Sequence, residues 1–472
     1  MAIKRYKATA DNTIANGYQE NLGTRATGAN MGQADVSEVY SIYGRATTSS
    51  SELSRIITQF DTTTIASDRT AGTIPASGKV NFYLRLYNAE TSKTVPRDFK
   101  LVVEAISRAW TEGDGLDLEN YKDLGVSNWI SASQGVAWTA AGGDYHTTPT
   151  FEQTFETGLE DLDLDITTLV EQWIAGSKTN YGVGVRLTSS VESATTSYYT
   201  KRFFARGTQY FFKKPVIEAR WNSSLQDDRG DFYMSSSLAP AADNLNTLYL
   251  YNYVRGQLTN IPAIGAGELY VDLYETLGGT TLTQVLQTPA TGGYVSPGVY
   301  SCSVGLSGTY STLRDVWYSG SVEYFTGTIS PKSFGGVPSS AGNSRHVTNI
   351  KNLRAKYFSE EQARFNVYVR NKNWSPTIYT VASTEIENTI IPSASYRVYR
   401  VLDGLNAIPH GTGSDLQTIL SYDVSGNYFN LDMSLLEPGY EYGIKLAFYD
   451  SQRQSWIEQD QKFLFRVEDY EY

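Results

Sequence analysis

Residues 161–187 read DLDLDITTLVEQWIAGSKTNYGVGVRL. Leu162, Leu164 and Ile166 alternate with Asp161, Asp163 and Asp165, which is the period of a strand with one apolar and one acidic face. TTLVEQWI then takes helical spacing, with Asp165 placed to cap it and Gly176 placed to stop it. After the turn SKTN, the residues Tyr181, Val183, Val185 and Leu187 resume the alternation. The local physics is strand, one helical turn, strand. On that reading the closely spaced carboxylates are a solvated strand face plus a helix cap; a calcium site is the competing reading.

The same periodicity extends outward. RIITQFDTTTI, KVNFYLRLYNAE and FKLVVEAISRAW, all between Ile56 and Trp110, carry apolar residues at period two or in short runs, and DRTAGTIPASG and TSKTVPRD separate them as turns. Composition agrees: 35 Tyr and 40 Gly, with Thr, Ser and Asn between short apolar runs, is the profile of strands and turns. An all-β chain is expected. At 472 residues it is too long for one ordinary core.

Two composition breaks divide it. WNSSLQDDRGDFYMSSSLAPAADN and PKSFGGVPSSAGNSRH are rich in small and polar residues and read as linkers. The expected order is an N-terminal arm over 1–50, a β-sandwich over 51–221, a linker over 222–244, a second sandwich over 245–332, a linker over 333–346 and a third sandwich over 347–472. The last two share an order of signals: a Tyr-Val-Arg strand, a Tyr-Val strand, a Pro-Gly turn into a Tyr strand, and an aromatic strand opened by Trp. They read as distant copies. In LEPGYEYGIKLAF, Tyr442, Ile444, Leu446 and Phe448 share one face, so Tyr442 is placed as an immunoglobulin-like tyrosine corner.

Charge and cysteine usage exclude whole classes. With 39 basic against 50 acidic residues the net charge is -11, which repels phosphate backbones and argues against nucleic acid as a partner. Cys302 is the only cysteine, so neither an intrachain disulfide framework nor a thiolate metal cluster is available. No stretch of about 18 apolar residues occurs, so no membrane span is expected, and the N-terminus lacks the apolar run of a signal peptide. Synthesis in a host cytosol with release by lysis is consistent with these features.

Chemistry-bearing motifs are few. P-loop, GxGxxG after a strand, HExxH and CxxC patterns are all missing from the sequence. The three histidines, His146, His346 and His410, sit among turn residues and are expected at the surface. TEGDGLDLENYKD gathers Asp114, Asp117 and Glu119, with Glu112, in a glycine-containing loop that a calcium ion suits, although without EF-hand spacing. Trp129 and Trp138, in SNWISASQGVAWTAAGG, are the tryptophans placed for exposure and hence for stacking on a sugar. A glycosidase needs two converging carboxylates, and no two are singled out.

Several phrases resemble a known domain. ELSRIITQFDTTTI, IPASGKVNFYLRLYN, AISRAWTEGDGLDLE, LDLDITTLVEQWIAG and NYGVGVRL together resemble the DNRLRE domain, carried by Phe60 and Asp61, Trp110 and Glu112, Asp165 to Gly176, and Asn180 to Gly182. That resemblance implies a jelly-roll sandwich related to carbohydrate-binding modules, with KDLGVSNWISASQG as an insertion. Beyond it, DNTIANGYQENLGTRATGANMGQADVSEVYSIYGR and LSYDVSGNYFNLDMSLLEPGYEYGIKLAFY resemble virion proteins of large contractile-tailed phages of the cyanophage type.

What this implies is a DNRLRE-like sandwich followed by two immunoglobulin-like sandwiches, in a non-enzymatic structural protein of a particle's tail, neck or head surface. Its partners would be other virion proteins in a symmetric assembly or a homo-oligomer, with no cofactor. A glycan-binding adhesin is the alternative, and a polysaccharide-degrading enzyme the second alternative. The stretch before Ile56 is expected to be an anchoring arm that orders on a neighbouring subunit.

Overall fold

The computed structural model describes residues 2–44, 50–91, 95–118, 125–195, 198–332, 346–372, 374, 378 and 388–470. The chain is built of serial β-sandwich modules and forms two compact units, residues 2–221 and residues 222–472. Among the described residues no helix is long and apolar enough to cross a membrane.

The first unit is organised by its N-terminal strand, Ile3–Ala15. Its first half pairs antiparallel with Val216–Arg220, from Ile3 opposite Arg220 to Lys7 opposite Val216. Its second half pairs with Ser51–Phe60, after a register shift between Ala8 and Ala10. An irregularity of that kind bends a strand, and here the bend carries one strand from one layer to the other. On one side follow Asn81–Leu86 and Leu162–Asp165. On the other follow Val183–Leu187, Phe99–Ile106 and Tyr145–Phe155, with Val36–Tyr43 and Tyr198–Phe204 attached through Ser51–Phe60.

Phe82, Leu84 and Ile217 from the first layer meet Phe60, Leu101, Val103, Phe155, Val183 and Val185 from the second in one core, all nearly inaccessible. Each such side chain contributes about 1.5–3 kcal/mol of transfer free energy. The expected arm over 1–50 is therefore corrected. Ile3, Tyr6, Ala8 and Ile14 are buried in this unit, and the strand that holds them joins its two layers. The polar run Asp11, Asn12 and Thr13 concealed this, because those side chains are buried too and bonded inside, Asn12 Nδ2 donating to Ser127 O and Oγ at 2.9 and 2.8 Å.

The acidic stretch finds its place at the layer edge. Leu162–Asp165 pairs with Asn81–Leu86. Asp161 accepts from the Asn88 amide at 2.7 Å, Asp163 from Arg220 at 2.9 Å, and Asp165 from the Thr167 amide at 2.8 Å, at the start of helix Thr167–Ile174. Leu169, Val170 and Trp173 of that helix enter the core, and Glu171 grips Arg69 with both oxygens at 2.6 and 2.8 Å. Gly182 of NYGVGV, at φ 86° and with the Thr58 carbonyl 2.1 Å from where a Cβ would stand, admits no side chain.

The second unit holds two modules. In the first of them six strands form one sheet in the order Asn246–Tyr251, Val299–Val304, Ala290–Ser296, Leu269–Tyr274, Leu313–Ser319, Val322–Ile329. Trp317, Tyr300, Leu248 and Phe232 fill its core. The other module has a four-stranded sheet, containing Gln362–Asn371 and Gly426–Asp432, and a six-stranded one containing Ala394–Arg400, Glu441–Asp450 and Phe463–Glu468. Phe365, Phe429 and Tyr396 stack between them with centroids 4.2 to 5.1 Å apart.

The two modules share sequence signals but not pairings. Asn246–Tyr251 pairs with Val299–Val304, whereas the corresponding Gln362–Asn371 and Glu441–Asp450 lie in different sheets.

Residues 222–244, expected as a linker or long loop, are bonded along their length. Leu225 and Asp227 pair with Tyr422 of the last module, through Tyr422 N to Leu225 O at 2.9 Å and Asp227 N to Tyr422 O at 3.0 Å. Phe232 and Ser235 pair with the preceding module, through Lys332 N to Phe232 O at 2.9 Å and Ser235 N to Leu306 O at 2.8 Å. Small polar residues mark this segment because its bonds are made by backbone and by carboxylate, amide and hydroxyl side chains. Of the second expected linker, 333–345 lie outside the described residues.

Candidate functional site: an apolar tip

Strand Asn246–Tyr251 ends at Asn252, whose amide donates to Gly298 O at 2.7 Å while its side chain donates to Thr259 O at 2.6 Å. The six residues between are thereby pinched into a hairpin, Tyr253–Val254 against Gln257–Leu258. Arg255 and Gly256 form its turn, at φ 52° and 81°, the double positive φ of a two-residue hairpin turn. Gly298 N donates to Asn260 Oδ1 at 2.7 Å, which fastens the hairpin to the turn between Ala290–Ser296 and Val299–Val304.

Five large apolar side chains are thereby displayed at one end of the module: Tyr253, Val254, Leu258, Tyr294 and Val295, exposed by 58, 48, 39, 36 and 40%. Twelve of the twenty-six exposed large hydrophobics among the described residues belong to residues 222–332, so the surplus is concentrated in this module. A solvated apolar group on a rigid hairpin is suited to burial against another protein surface. Sequence reasoning took LYLYNYVRG as one strand; the Arg-Gly pair flanked by YV and QL was the available signal for the hairpin.

The residues singled out from the sequence are placed differently. Trp129 and Trp138 are 6 and 5% exposed, in a small core with Ile14, Ile57 and Ile106, which corrects the expected sugar-stacking pair. The loop folds inward because Trp138 Nε1 donates to Asn128 O at 2.8 Å, Gly142 N donates to Trp129 O at 2.7 Å, and the Arg55 guanidinium lies 5.3 Å from the Trp129 ring.

Asp114 and Asp117 are exposed, and Glu119 lies outside the described residues. Glu112 is turned to Arg206 at 2.7 Å and to the Asp11 amide at 2.8 Å. No group of three or more His, Cys, Asp or Glu suited to a metal ion occurs among the described residues.

The histidines are half-buried instead of exposed. His346 packs edge-on against Phe448, centroids 5.5 Å apart. His410 lies between Ser395, with Oγ 3.0 Å from Nδ1, and Glu458, 3.7 Å from Nε2. The order is that of a hydrolytic triad, but Ser395 is fully buried, its Oγ also 2.8 Å from Thr418 Oγ1, and Glu458 is bonded to Arg397 and Lys445. Burial, with Arg397 nearby, lowers the His410 pKa despite Glu458. No substrate reaches that serine, and the arrangement works as internal hydrogen bonding.

No family model matches the sequence, and no curated protein matches it. Among solved structures, similarity is found to the Yersinia pseudotuberculosis adhesin InvE, at 10% identity over 50% of this chain and 57% of that one, with a TM-score of 0.16. The chicken CNTN1 FN1-FN3 domains match at 10% identity over 60% of this chain and 87% of theirs, TM-score 0.15. Salmonella alpha-2-macroglobulin matches at 6% identity over 99% of this chain and 26% of its own, TM-score 0.16. At such scores these likenesses carry no argument about what this chain does.

Proposed function

We propose that the chain is a non-enzymatic structural protein of a tailed-phage particle, working through protein–protein contacts of its β modules. The sequence resemblance supplies the particle. The observation that carries the contact role is the apolar hairpin tip of Tyr253, Val254 and Leu258 beside Tyr294 and Val295, held rigid by Asn252 and Asn260. The conspicuous carboxylates support the same reading. Asp163, Glu171, Glu112 and Glu458 are bonded to arginines, and Asp165 accepts from the Thr167 amide where a helix starts, so these groups are committed to holding the fold.

A glycan-binding adhesin is the second reading. Burial of Trp129 and Trp138 moves any stacking surface to the exposed tyrosines, of which Tyr270 lies beside the half-buried Tyr318 with centroids 6.0 Å apart. The deciding experiment counts copies of this chain against the major capsid protein by mass spectrometry of purified particles. A fixed ratio is expected, near six or twelve copies per particle for tail or neck and hundreds for the head surface. Absence of the chain from particles overturns the proposal and brings the adhesin reading forward.

A further inference from the structure

Lys201 is 1% exposed, an unusual place for an ammonium group. It sits in strand Tyr198–Phe204, and its Nζ approaches Asn88 Oδ1 at 2.7 Å, Gly158 O at 2.8 Å and Glu160 O at 2.8 Å. The rings of Phe155 and Phe203, both fully buried, flank it with centroids 5.0 and 5.1 Å away. Asn88 is held in place by backbone: its amide donates to Asp161 Oδ1 at 2.7 Å, and it bridges to Phe203 across the strand. Beside this pair stands Glu160. One of its oxygens accepts from the Thr157 amide at 2.7 Å, while the other, Oε2, is buried with no hydrogen-bond partner. Buried polar atoms are nearly always paired, so a bare carboxylate oxygen next to a buried lysine calls for an explanation.

We propose that Lys201 and Asn88 become joined by an isopeptide bond, formed inside the folded chain with release of ammonia. The geometry is that of two reactants held at contact. Nζ at 2.7 Å from Oδ1 lies at most about 4 Å from the Cγ to which that oxygen is bonded, close to the separation of a productive encounter. The amine is available as a nucleophile. Burial lowers the Lys201 pKa to about 8, against the opposing pull of Glu160 and Asp161, so that roughly a quarter is neutral at pH 7.5.

In the step, the Nζ lone pair forms a bond to Cγ. The Cγ–Nδ2 bond breaks, one Nζ proton passes to Nδ2, and the leaving group departs as ammonia. Nothing is oxidised or reduced. Glu160, whose carboxylate charge acts on the Lys201 ammonium, is the group assigned to relay that proton. The Phe155 and Phe203 rings keep out the water that would otherwise compete with the amine.

The bond would tie together two parts of the sandwich that hydrogen bonding joins only lightly. Tyr198–Phe204 is paired along its length with Val36–Tyr43 and meets the Asn88 segment through two backbone bonds, Ala89 N to Arg202 O at 3.1 Å and Phe204 N to Tyr87 O at 2.9 Å, and Asn88 follows Asn81–Leu86 of the opposite layer. A link between residues 113 apart in sequence would hold that outer strand against pulling, as suits a component of an assembly under load.

The test is the mass of the full-length protein after incubation at pH 8. The expected result is a mass about 17 Da below that of the sequence, with Lys201→Ala and Asn88→Ala each at full sequence mass. Tandem mass spectrometry of a tryptic digest is expected to show the Lys201 and Asn88 peptides as one branched species. Loss of the same mass from an unbranched Asn88 peptide, the product of succinimide formation, overturns the proposal, as does a chain at full mass with Lys201 in a free peptide. Glu160→Gln, which keeps the size of the side chain, is expected to slow linkage at least tenfold with the far-ultraviolet spectrum unchanged. Linkage at the parent rate overturns the relay role.

Discussion

Tyr422 donates its hydroxyl to Asp228 at 2.7 Å, bonding residues 194 apart in sequence. On either side of it the short turn Asp228–Gly230 carries Arg229, which donates to Asp227 at 2.8 Å and to Asp315 at 2.6 Å, and Asp315 also accepts from Trp317 Nε1 at 2.8 Å. Residues 225–231 are thus a strut fixed to both modules of the second unit. The two modules are therefore expected to unfold together.

Tyr422→Phe keeps the ring and removes one charge-assisted bond, leaving Asp228 with the Thr247 amide at 2.7 Å. A loss of about 1–2 kcal/mol is expected. Urea titration of the full chain measures it, and hydrogen exchange should show faster exchange at Leu225 to Asp227. An unchanged midpoint would mean that the strut is held by its backbone bonds alone.

Arg229→Met is a harsher change, because Asp315 and Asp227 are 0 and 2% exposed and lose their shared cation. Removing one partner of a buried ionic group costs about 3–5 kcal/mol, most of it the burial of uncompensated charge. Adding Asp315→Asn should therefore recover about 1 kcal/mol or more, a coupling that a double-mutant cycle reads. Additive effects would show that the three groups do not act together.

Legibility in the sequence followed backbone periodicity. The alternation of Leu162 and Leu164, the helix of Leu169, Val170 and Trp173, and the strand Val183–Leu187 were all visible as patterns. So was the tyrosine corner, where Tyr442 is fully buried and donates to Glu437 O at 2.7 Å. What escaped was polar burial. Asp11, Asn12 and Thr13 look like loop residues and are inside; DDRGD looks like a linker and is an ionic strut. Trp129 and Trp138 sit among Ser, Gly and Ala, so nothing local marks them as buried, and their partners Ile14, Ile57 and Ile106 are distant in sequence. Binary patterning carries no information about polar groups satisfied by remote partners.

Asp11 provides a pH test in the first unit. Burial raises its pKa to about 7; the Arg206 amide opposes this, at 2.5 Å from Oδ2, and the neighbouring Glu112 adds to it. An acid whose folded value is raised binds its proton more tightly in the folded state. Its effect on stability is therefore absent below the unfolded value near 4 and becomes a full penalty as pH rises through 7. Asp11→Asn keeps the acceptor for Arg206 and removes the charge. The variant is expected to exceed the parent in stability by on the order of 2–4 kcal/mol at pH 8, with the gap closing toward pH 4. Thermal melts across that range check it; a gap that is independent of pH would show that Asp11 does not titrate as described.

The hairpin tip connects fold to function and requires a substitution that spares the fold. Tyr253 and Leu258 are more than a third exposed and contribute backbone, not side chain, to the pairing that holds the hairpin. Tyr253→Ser with Leu258→Ser should therefore shift unfolding by no more than about 0.5 kcal/mol per site. If the tip is buried against another particle protein, the double variant loses the contact energy of two large side chains, on the order of 2–4 kcal/mol, and its incorporation into particles should fall by tenfold or more. Disruption of Asn252 gives the complementary change, since Asn252→Ala leaves every apolar side chain in place but removes the bond to Thr259 that holds the hairpin in shape. Reduced incorporation in both variants, with melting of the rest of the chain unaltered, is the expected pattern; normal incorporation of the serine variant would remove the tip from the assembly interface.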